Sequence, residues 1–455
     1  MSKKLLFILA PLAIIAIFVI IFSMLSGGKT KVPASAITPK TLTYWRVQDS
    51  QASLDPIITS WRTMHPNITI QYRTLRYEEY EQALLEAWAK GEGPDIYSIP
   101  NTWVHKYQEF ITPMPASTGM AYYSTVKSLG IKEEQKIEYK ETPSIQLPQL
   151  ANNFVDSVYE DTVIEDKIYG LPYSVDNIGL FYNKELLNQA KIPLPPTTYS
   201  ELLTDVKKLT KIDSEGNIIQ AGVALGGTEN IPRSMDILFL LMLQSRSTLT
   251  DPPNFLLSIP DDPQTIPAVN ALDFYAQFSD PNKEVYTWNK DLPNALEMFA
   301  QGKLAFFFGY SYNIPLIDQL SAGQLSYGTA NVPQLNQDLN YANYWVETVS
   351  HSTQNANEAW DFLQYATRVE NVTGYLESTG RPTALKVLVD VQREDFLLRP
   401  FIEQSLVAKN WYHGKKPNLM EQYTTDAIES VVNNQLEARE ALQLAQKLIL
   451  QTYTD

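Results

Sequence analysis

The side chains best suited to chemistry in this sequence are aromatic rings with a polar handle: 26 tyrosines and 8 tryptophans in 455 residues. Such a ring offers an apolar face to the C–H side of a sugar and a hydrogen-bonding group at its edge, which suits a cleft walled by stacking platforms. Most of these rings must still serve cores or surfaces, so position has to select among them. Covalent and metal chemistry find little support. His65, His105, His351 and His413 are far apart, with no neighbour at metal-ligand spacing, so neither a metal nor another cofactor is expected. The chain has no G-x-S-x-G elbow, no H-E-x-x-H helix and no phosphate-cradling G-x-x-x-x-G-K-S/T loop. With 51 acidic residues, pairs such as Glu78 and Glu79 arise in any case and read as solvated helix surface.

Composition narrows the class further. A hydrophobic fraction of 44% and a charged fraction of 19% are ordinary for globular domains, and the length allows two or three of them. The net charge of −15 argues against nucleic-acid binding, which needs a basic surface to release counterions. Cysteine is absent, which excludes disulfides, thiolate metal sites and a cysteine nucleophile. Leu5 to Leu25 carries no charge; as a helix it is about 31 Å long, enough to span a hydrocarbon core of about 30 Å. It exceeds the apolar region of a cleavable signal peptide, and the A-x-A sequence from Ala34 to Ala36 lies well past its end, so an uncleaved membrane anchor is expected. Lys3 and Lys4 before it nearly balance Lys29 and Lys31 after it, so charge does not orient the span. Ser26 to Lys40 reads as a flexible spacer.

The elements that would position a site follow from periodicity. Thr41 to Trp45 is a strand; Leu54, Ile57, Ile58, Trp61 and Met64 share one face of a helix stopped by Pro66. Ile68, Ile70 and Tyr72 alternate as a second strand, Tyr80, Leu84, Leu85 and Trp88 mark a second helix ended by Gly91, and Asp95 to Ile99 is a third strand. A β-α-β-α-β run of this kind builds a parallel sheet and places ligands beyond the carboxyl ends of its strands. Met114 to Phe154 reads as a surface excursion. Residues 235 to 243 are apolar but too few to cross a bilayer, so they form a buried helix. Lys303 to Phe308 is a strand, and Tyr169 to Tyr182, interrupted by Gly170 and Pro172, reads as an extended crossover or as a buried strand with a bulge.

Several motifs occur in a telling order. Asp166-Lys167-Ile168-Tyr169-Gly170-Leu171-Pro172, then Tyr182-Asn183-Lys184, then Pro195 to Leu202, resemble the signature of bacterial extracellular solute-binding proteins, the receptors of ABC importers, especially those for sugars and oligosaccharides. The segment departs from the pattern in lacking the glycine before Lys167 and in carrying Tyr199 where the family prefers Trp. Met298 to Phe306 and Asn355 to Tyr365 resemble two further elements of the same family. The resemblance implies an α/β, two-lobed, type II periplasmic-binding-protein-like fold with a hinge, here preceded by one transmembrane helix. It implies lobe 1 from residues 41–175 and 340–381, and lobe 2 from residues 176–339 and 382–455. It implies a monomeric, non-enzymatic receptor on the outer side of the membrane that takes a small-molecule ligand, a carbohydrate above all, and delivers it to ABC permease subunits. The lipidated cysteine that tethers many relatives is missing, so the N-terminal span would serve instead. The rival readings are a sensor or adhesion receptor on the same fold, and a secreted glycoside hydrolase with two acids across the cleft.

Strand ends and crossovers then select the candidate ligand-binding residues. Trp45, Arg46 and Asp49 close the first strand, and Trp103 follows the third. Tyr173, Asp176 and Asn177 sit at the crossover, Tyr310 and Tyr312 follow the Phe308 strand, Tyr344 and Trp345 lie where the chain would re-enter lobe 1, and Arg381 follows Gly380. Each has a packing alternative. Trp45 lies inside an apolar strand, Asp176 and Asn177 could shape a hinge turn, Arg46 and Asp49 could pair with each other, and Arg381 could form a structural salt bridge.

Overall fold

The computed structural model describes residues 32–47, 49–128, 132–335 and 337–454. Two sheets organise it. Their strands, numbered along the chain, are β1 (Lys40–Val47), β2 (Ile68–Leu75), β3 (Ile96–Pro100), β4 (Gly179–Asn183), β5 (Lys211–Ile212), β6 (Ile218–Val223), β7 (Leu304–Gly309), β8 (Tyr327–Ala330) and β9 (Trp345–Val349). The first sheet has the order β9-β3-β1-β2, and the second β8-β4-β7-β6-β5. β1 pairs in parallel with both β2 and β3, joined through helices α1 (Gln51–Met64) and α2 (Tyr77–Lys90), as the sequence periodicity predicts. The edge strand β9 runs antiparallel to β3 and comes from far along the chain. The chain therefore leaves the first sheet, builds the second, and returns.

Each sheet has its own core. The first gathers Leu42, Tyr44, Trp61, Ile96, Val346, Trp360 and Phe362. The second gathers Leu180, Phe181, Phe306, Phe307, Trp288 and the whole of helix α3 (Ser234–Gln244), all of whose residues are buried. That helix is the apolar run at residues 235–243. Ala384, Leu385 and Leu388 pack in the first core, beyond the Arg381 at which the sequence reading places the last crossing.

Between the sheets three stretches lie side by side, with bridges Leu171↔Glu347, Ser174↔Thr383 and Asn177↔Ala342. Gly170 permits the first of these contacts, since a Cβ there would come within 2.3 Å of Val346 Cγ1 and 2.9 Å of the Glu347 carbonyl oxygen. Gly179 permits the entry into β4, where a Cβ would meet the Phe401 ring at 2.5 Å. The residue standing in place of the family's glycine is equally legible. Glu165 (φ 49°) and Asp166 (φ 57°) both take the left-handed conformation in the tight hairpin that pairs Ile164 with Lys167.

The excursion after Met114 is a long antiparallel hairpin, Ser117–Ser128 with Lys132–Pro143. No helix among the described residues is long and apolar enough to cross a membrane. The Leu5 to Leu25 span lies outside the described residues.

Candidate functional site

A cleft of about 280 Å³ opens between the two sheets. The first lobe contributes Tyr77 from α2, Pro100, Thr102 and Trp103 beyond β3, and Tyr344 and Trp345 at the start of β9. The central stretches contribute Ser174, Asp176, Asn343 and Arg381, and the second lobe contributes Pro232, Arg233, Tyr312 and Glu421. A hollow of about 510 Å³ also exists at the foot of the long hairpin, between Thr118, Asn153, Gln364 and Arg368. It belongs to one lobe, so filling it would not bring the two lobes together.

Of the candidates named from sequence, Trp103, Asp176, Tyr312, Tyr344, Trp345 and Arg381 line the cleft. Trp345 stands at its wall, with Tyr77 and Tyr80 edge-on at 6.2 and 6.0 Å between ring centroids. Trp103 is covered by Lys106 at 4.7 Å from the ring centre. Tyr344 is anchored through its hydroxyl, which donates to Asp161 at 2.7 Å. From the other side Tyr312 stacks parallel on Tyr310, with centroids 5.5 Å apart and planes 10° apart.

Asp176 joins the central stretches to the second lobe. It accepts from the Ser311 hydroxyl at 2.7 Å, the Ser311 amide at 3.2 Å and the Asn177 amide at 2.9 Å. Burial pushes its carboxyl up to about 6 against the pull of these hydrogen bonds and of Arg381.

Trp45, Arg46, Asp49, Tyr173, Asn177 and Tyr310 take other places. The pleat of β1 explains the first two. Arg46 shares the inward face of Leu42 and Tyr44, whereas Trp45 faces the opposite way and is covered by the guanidinium of Arg73, its register partner on β2, at 4.6 Å. Arg46 is 4% exposed and pairs with Glu347 and Asp49, each at 3.1 Å. Tyr173 closes this network, its ring 5.2 Å from the Arg46 guanidinium. Asp49 accepts from Tyr375 at 2.8 Å and pairs with Arg381 at 3.2 Å. Burial raises its pKa, but Arg46 and Arg381 outweigh that and hold the carboxyl below its ordinary range. Asn177 is fully buried, donating to the Phe401 carbonyl and accepting from Asn340. Tyr310 is buried behind Tyr312, with its hydroxyl on Asp236 at 2.6 Å.

The cleft also contains residues that the sequence reading did not select. Arg233 precedes α3 in a left-handed conformation (φ 56°), and its Nε and Nη2 bind the two oxygens of Asp236, each at 2.8 Å. Its Nη1 and Nη2 reach Glu421 at 3.3 Å. Asn343 donates to the same Asp236 at 3.1 Å. Arg233 lies in the loop between β6, which ends at Val223, and α3, too far past the strand for the argument that selected Tyr310 to reach it. Tyr77 and Glu421 sit on helices and carry no such signal either.

Aromatic rings on both lobes, with the guanidinium groups of Arg233 and Arg381 already paired with carboxylates, make a site that can grip a polar ligand by stacking and hydrogen bonds. The fold and this cleft together define a two-lobed α/β binding protein. The sequence pattern of the bacterial extracellular solute-binding protein family matches residues 57–396, more than half of the chain, and the protein belongs to that family. It is a family of binding proteins and not of enzymes. A Brucella abortus protein named as a binding protein is 22% identical over 367 residues, which is 79% of this chain and 75% of that protein. Among solved structures, the cyclic α-maltosyl-1,6-maltose binding protein of Arthrobacter globiformis superposes with a TM-score of 0.69 at 16% identity, over 91% of this chain and 99% of its own. An ABC transporter solute-binding protein of Thermotoga lettingae, solved with α-D-tagatose, superposes with a TM-score of 0.65 at 18% identity, over 91% of this chain and all of its own. At such identities the likeness shows the fold.

Proposed function

We propose that the protein captures a carbohydrate in the cleft between its lobes and delivers it to the membrane subunits of an ABC permease, held at the outer membrane face by the Leu5 to Leu25 segment. The observation that carries this reading is the pairing of Trp345, Tyr77 and Trp103 on one lobe with Tyr312 on the other, around polar groups at the cleft floor. The solved structures of similar fold include proteins whose names specify maltodextrins and other sugars. A ligand touching both lobes stabilises their closed arrangement, because only that arrangement offers all the contacts. The lobes of this reading are residues 41–175 with 340–381, and 176–339 with 382–455; the packing of Leu388 with the first core and of Val389 outside it supports drawing the last crossing a few residues later than Arg381.

The test is thermal unfolding of the purified chain against mono- and oligosaccharides, amino acids and polyamines. A ligand at 100 times its Kd raises stability by about 2.7 kcal/mol. The expected result is a concentration-dependent shift with a sugar, which is then recovered intact. Sugar recovered cleaved would make the protein an enzyme, and a shift with amino acids or polyamines alone would replace the carbohydrate reading.

A further inference from the structure

We infer that the cleft admits uncharged carbohydrates and excludes acidic ones, because every guanidinium facing it is already matched by a carboxylate of the protein, while of two cleft-lining carboxylates one keeps an unshared oxygen and the other has no cation in hydrogen-bond contact. The inference rests on the carbohydrate reading above and names the charge class of its ligand.

Arg233 and Arg381 are the arginines that line the cleft. Four of the five N–H donors of Arg233 are directed to Asp236 and Glu421, which leaves one Nη1 hydrogen for a ligand. Two carboxylates around one guanidinium leave no net positive charge to attract an anion, but a lone N–H still serves a hydroxyl oxygen. Arg381 is tied to Asp49 at 3.2 Å, and behind it Arg46 is tied to Asp49 and Glu347.

The carboxylates are less fully matched. Among the described residues, Asp176 lines the cleft with only hydroxyl and amide donors upon it, from Ser311 and Asn177, and no arginine or lysine in hydrogen-bond contact. Glu421 offers Oε1 to Arg233, and among the described residues no hydrogen bond is made to its other oxygen. Both groups are already strained as anions, since burial lifts Asp176 to about 6 and raises Glu421 against the pull of Arg233. A hexuronate or sugar phosphate placed here would bring a further negative charge beside them in a partly dehydrated site, where like charges repel strongly. A sugar hydroxyl meets the opposite situation. It can donate to either carboxylate and accept from Arg233, forming hydrogen bonds assisted by charge.

The experiment is titration calorimetry on the full chain in detergent, using matched pairs of oligosaccharides that differ only in CH₂OH or carboxylate at C6: gluco- with glucuronan, galacto- with galacturonan, and manno- with mannuronan oligomers. The expected result is binding of at least one neutral member, with its acidic counterpart at least ten-fold weaker. Glu421→Gln should narrow that gap by improving the acidic arm, with thermal unfolding as the check that the variant is folded. Acidic members bound as tightly as the neutral ones would overturn the inference and leave the carbohydrate reading standing. A gap unchanged in folded Glu421→Gln would overturn the charge account of it. Failure of every pair to bind, with binding of a non-carbohydrate, would remove the carbohydrate reading and this inference with it.

Discussion

Asn418 Nδ2 donates to Glu81 Oε2 at 3.1 Å and so joins the second lobe to the first beside the cleft. Asn418 lies in the helix Pro417–Val432, one turn before the cleft residue Glu421, and Glu81 lies on α2, one turn after the cleft residue Tyr77. Lys106 and Tyr107 hold Glu81 in place from within its own lobe. The bond therefore forms only when the two helices approach, and it is expected to favour the closed arrangement. Asn418→Ala should weaken ligand binding by about 0.5–1.5 kcal/mol, the net worth of one hydrogen bond, and leave the unfolding temperature of the free protein nearly unchanged. Calorimetry beside thermal unfolding measures both quantities. A variant that loses stability but not affinity would show the contact to be part of the fold alone.

Trp345 is the ring for which ligand contact and packing are most cleanly separable. It meets Tyr77 and Tyr80 edge-on and leaves part of its surface to the cleft, while the neighbouring Val346 is buried in the core. Trp345→Ala is expected to cost about 1–3 kcal/mol of binding with little loss of stability, as for an aromatic anchor at an interface. Denaturation midpoints of the variant decide the alternative, since a large fall in them would assign the ring to the core.

Arg46 is expected to behave in the opposite way. It lies behind the cleft, and its partner Glu347 is completely buried, also accepting from Tyr44 and Ser98. Burial raises the pKa of Glu347, and Arg46 is the largest influence opposing that. Arg46→Ala strands this carboxylate and should destabilise the protein by about 3–5 kcal/mol, the range for breaking a buried ion pair. Urea unfolding at neutral pH measures the loss, and a change below about 1 kcal/mol would contradict the structural role.

His413 and His105 are expected to shape the pH dependence of stability from opposite sides. His413 lies between Asp161 of the first lobe and Asp251 of the second, each at 3.2 Å, with the His105 ring 5.1 Å away. Burial disfavours the charged form of His413, but the hydrogen bonds to Asp161 and Asp251 outweigh it and push the pKa up to about 10. Its contribution is complete below the unfolded value near 6.5, declines as pH rises above that value, and is lost once pH passes about 10. Burial, and then the neighbouring His413, push His105 down to about 4. Here the unfolded chain binds the extra proton, so stability falls as pH drops from about 6.5 towards 4. Unfolding temperatures from pH 4 to 10 should pass through a maximum near neutrality. His413→Gln should flatten the alkaline limb and His105→Gln the acidic one, and limbs unaffected by these substitutions would assign the titration elsewhere.

The first lobe was readable because its signals are local. The spacing of Leu54, Ile57, Ile58 and Trp61, the alternation of Ile68 and Ile70, and the stop at Gly91 lie within single elements, and all are buried or placed as that periodicity requires. The edge strand β9 was not readable in this way, since its pairing with β3 joins residues far apart in the chain. The same limit governs the site. Strand ends pointed to Trp103, Tyr312 and Trp345, but the strand-end argument does not say which face of the strand is covered. Arg46 sits one residue beyond Trp45 and so falls on the core face of β1, where Glu347 awaits it from a strand some three hundred residues later. Arg233 and Glu421 meet by the same kind of distant pairing.

The departure from the family signature before Lys167 has a measurable consequence. Glu165 and Asp166 form the two-residue loop between Ile164 and Lys167, with φ of 49° and 57°. Left-handed backbone costs an L-residue about 1–2 kcal/mol, less for Asp than for Glu because a short polar side chain can bond locally. A loop of this kind favours Asn-Gly, where both residues adopt positive φ readily. Glycine gains flexibility in the unfolded chain, which offsets part of the benefit. The double substitution Glu165→Asn with Asp166→Gly is therefore expected to stabilise the protein by about 0.5–1 kcal/mol, with ligand affinity unchanged because neither residue lines the cleft. Chemical denaturation of the two proteins side by side tests it, and a loss of stability would mean that the present pair is held by contacts stronger than its backbone strain.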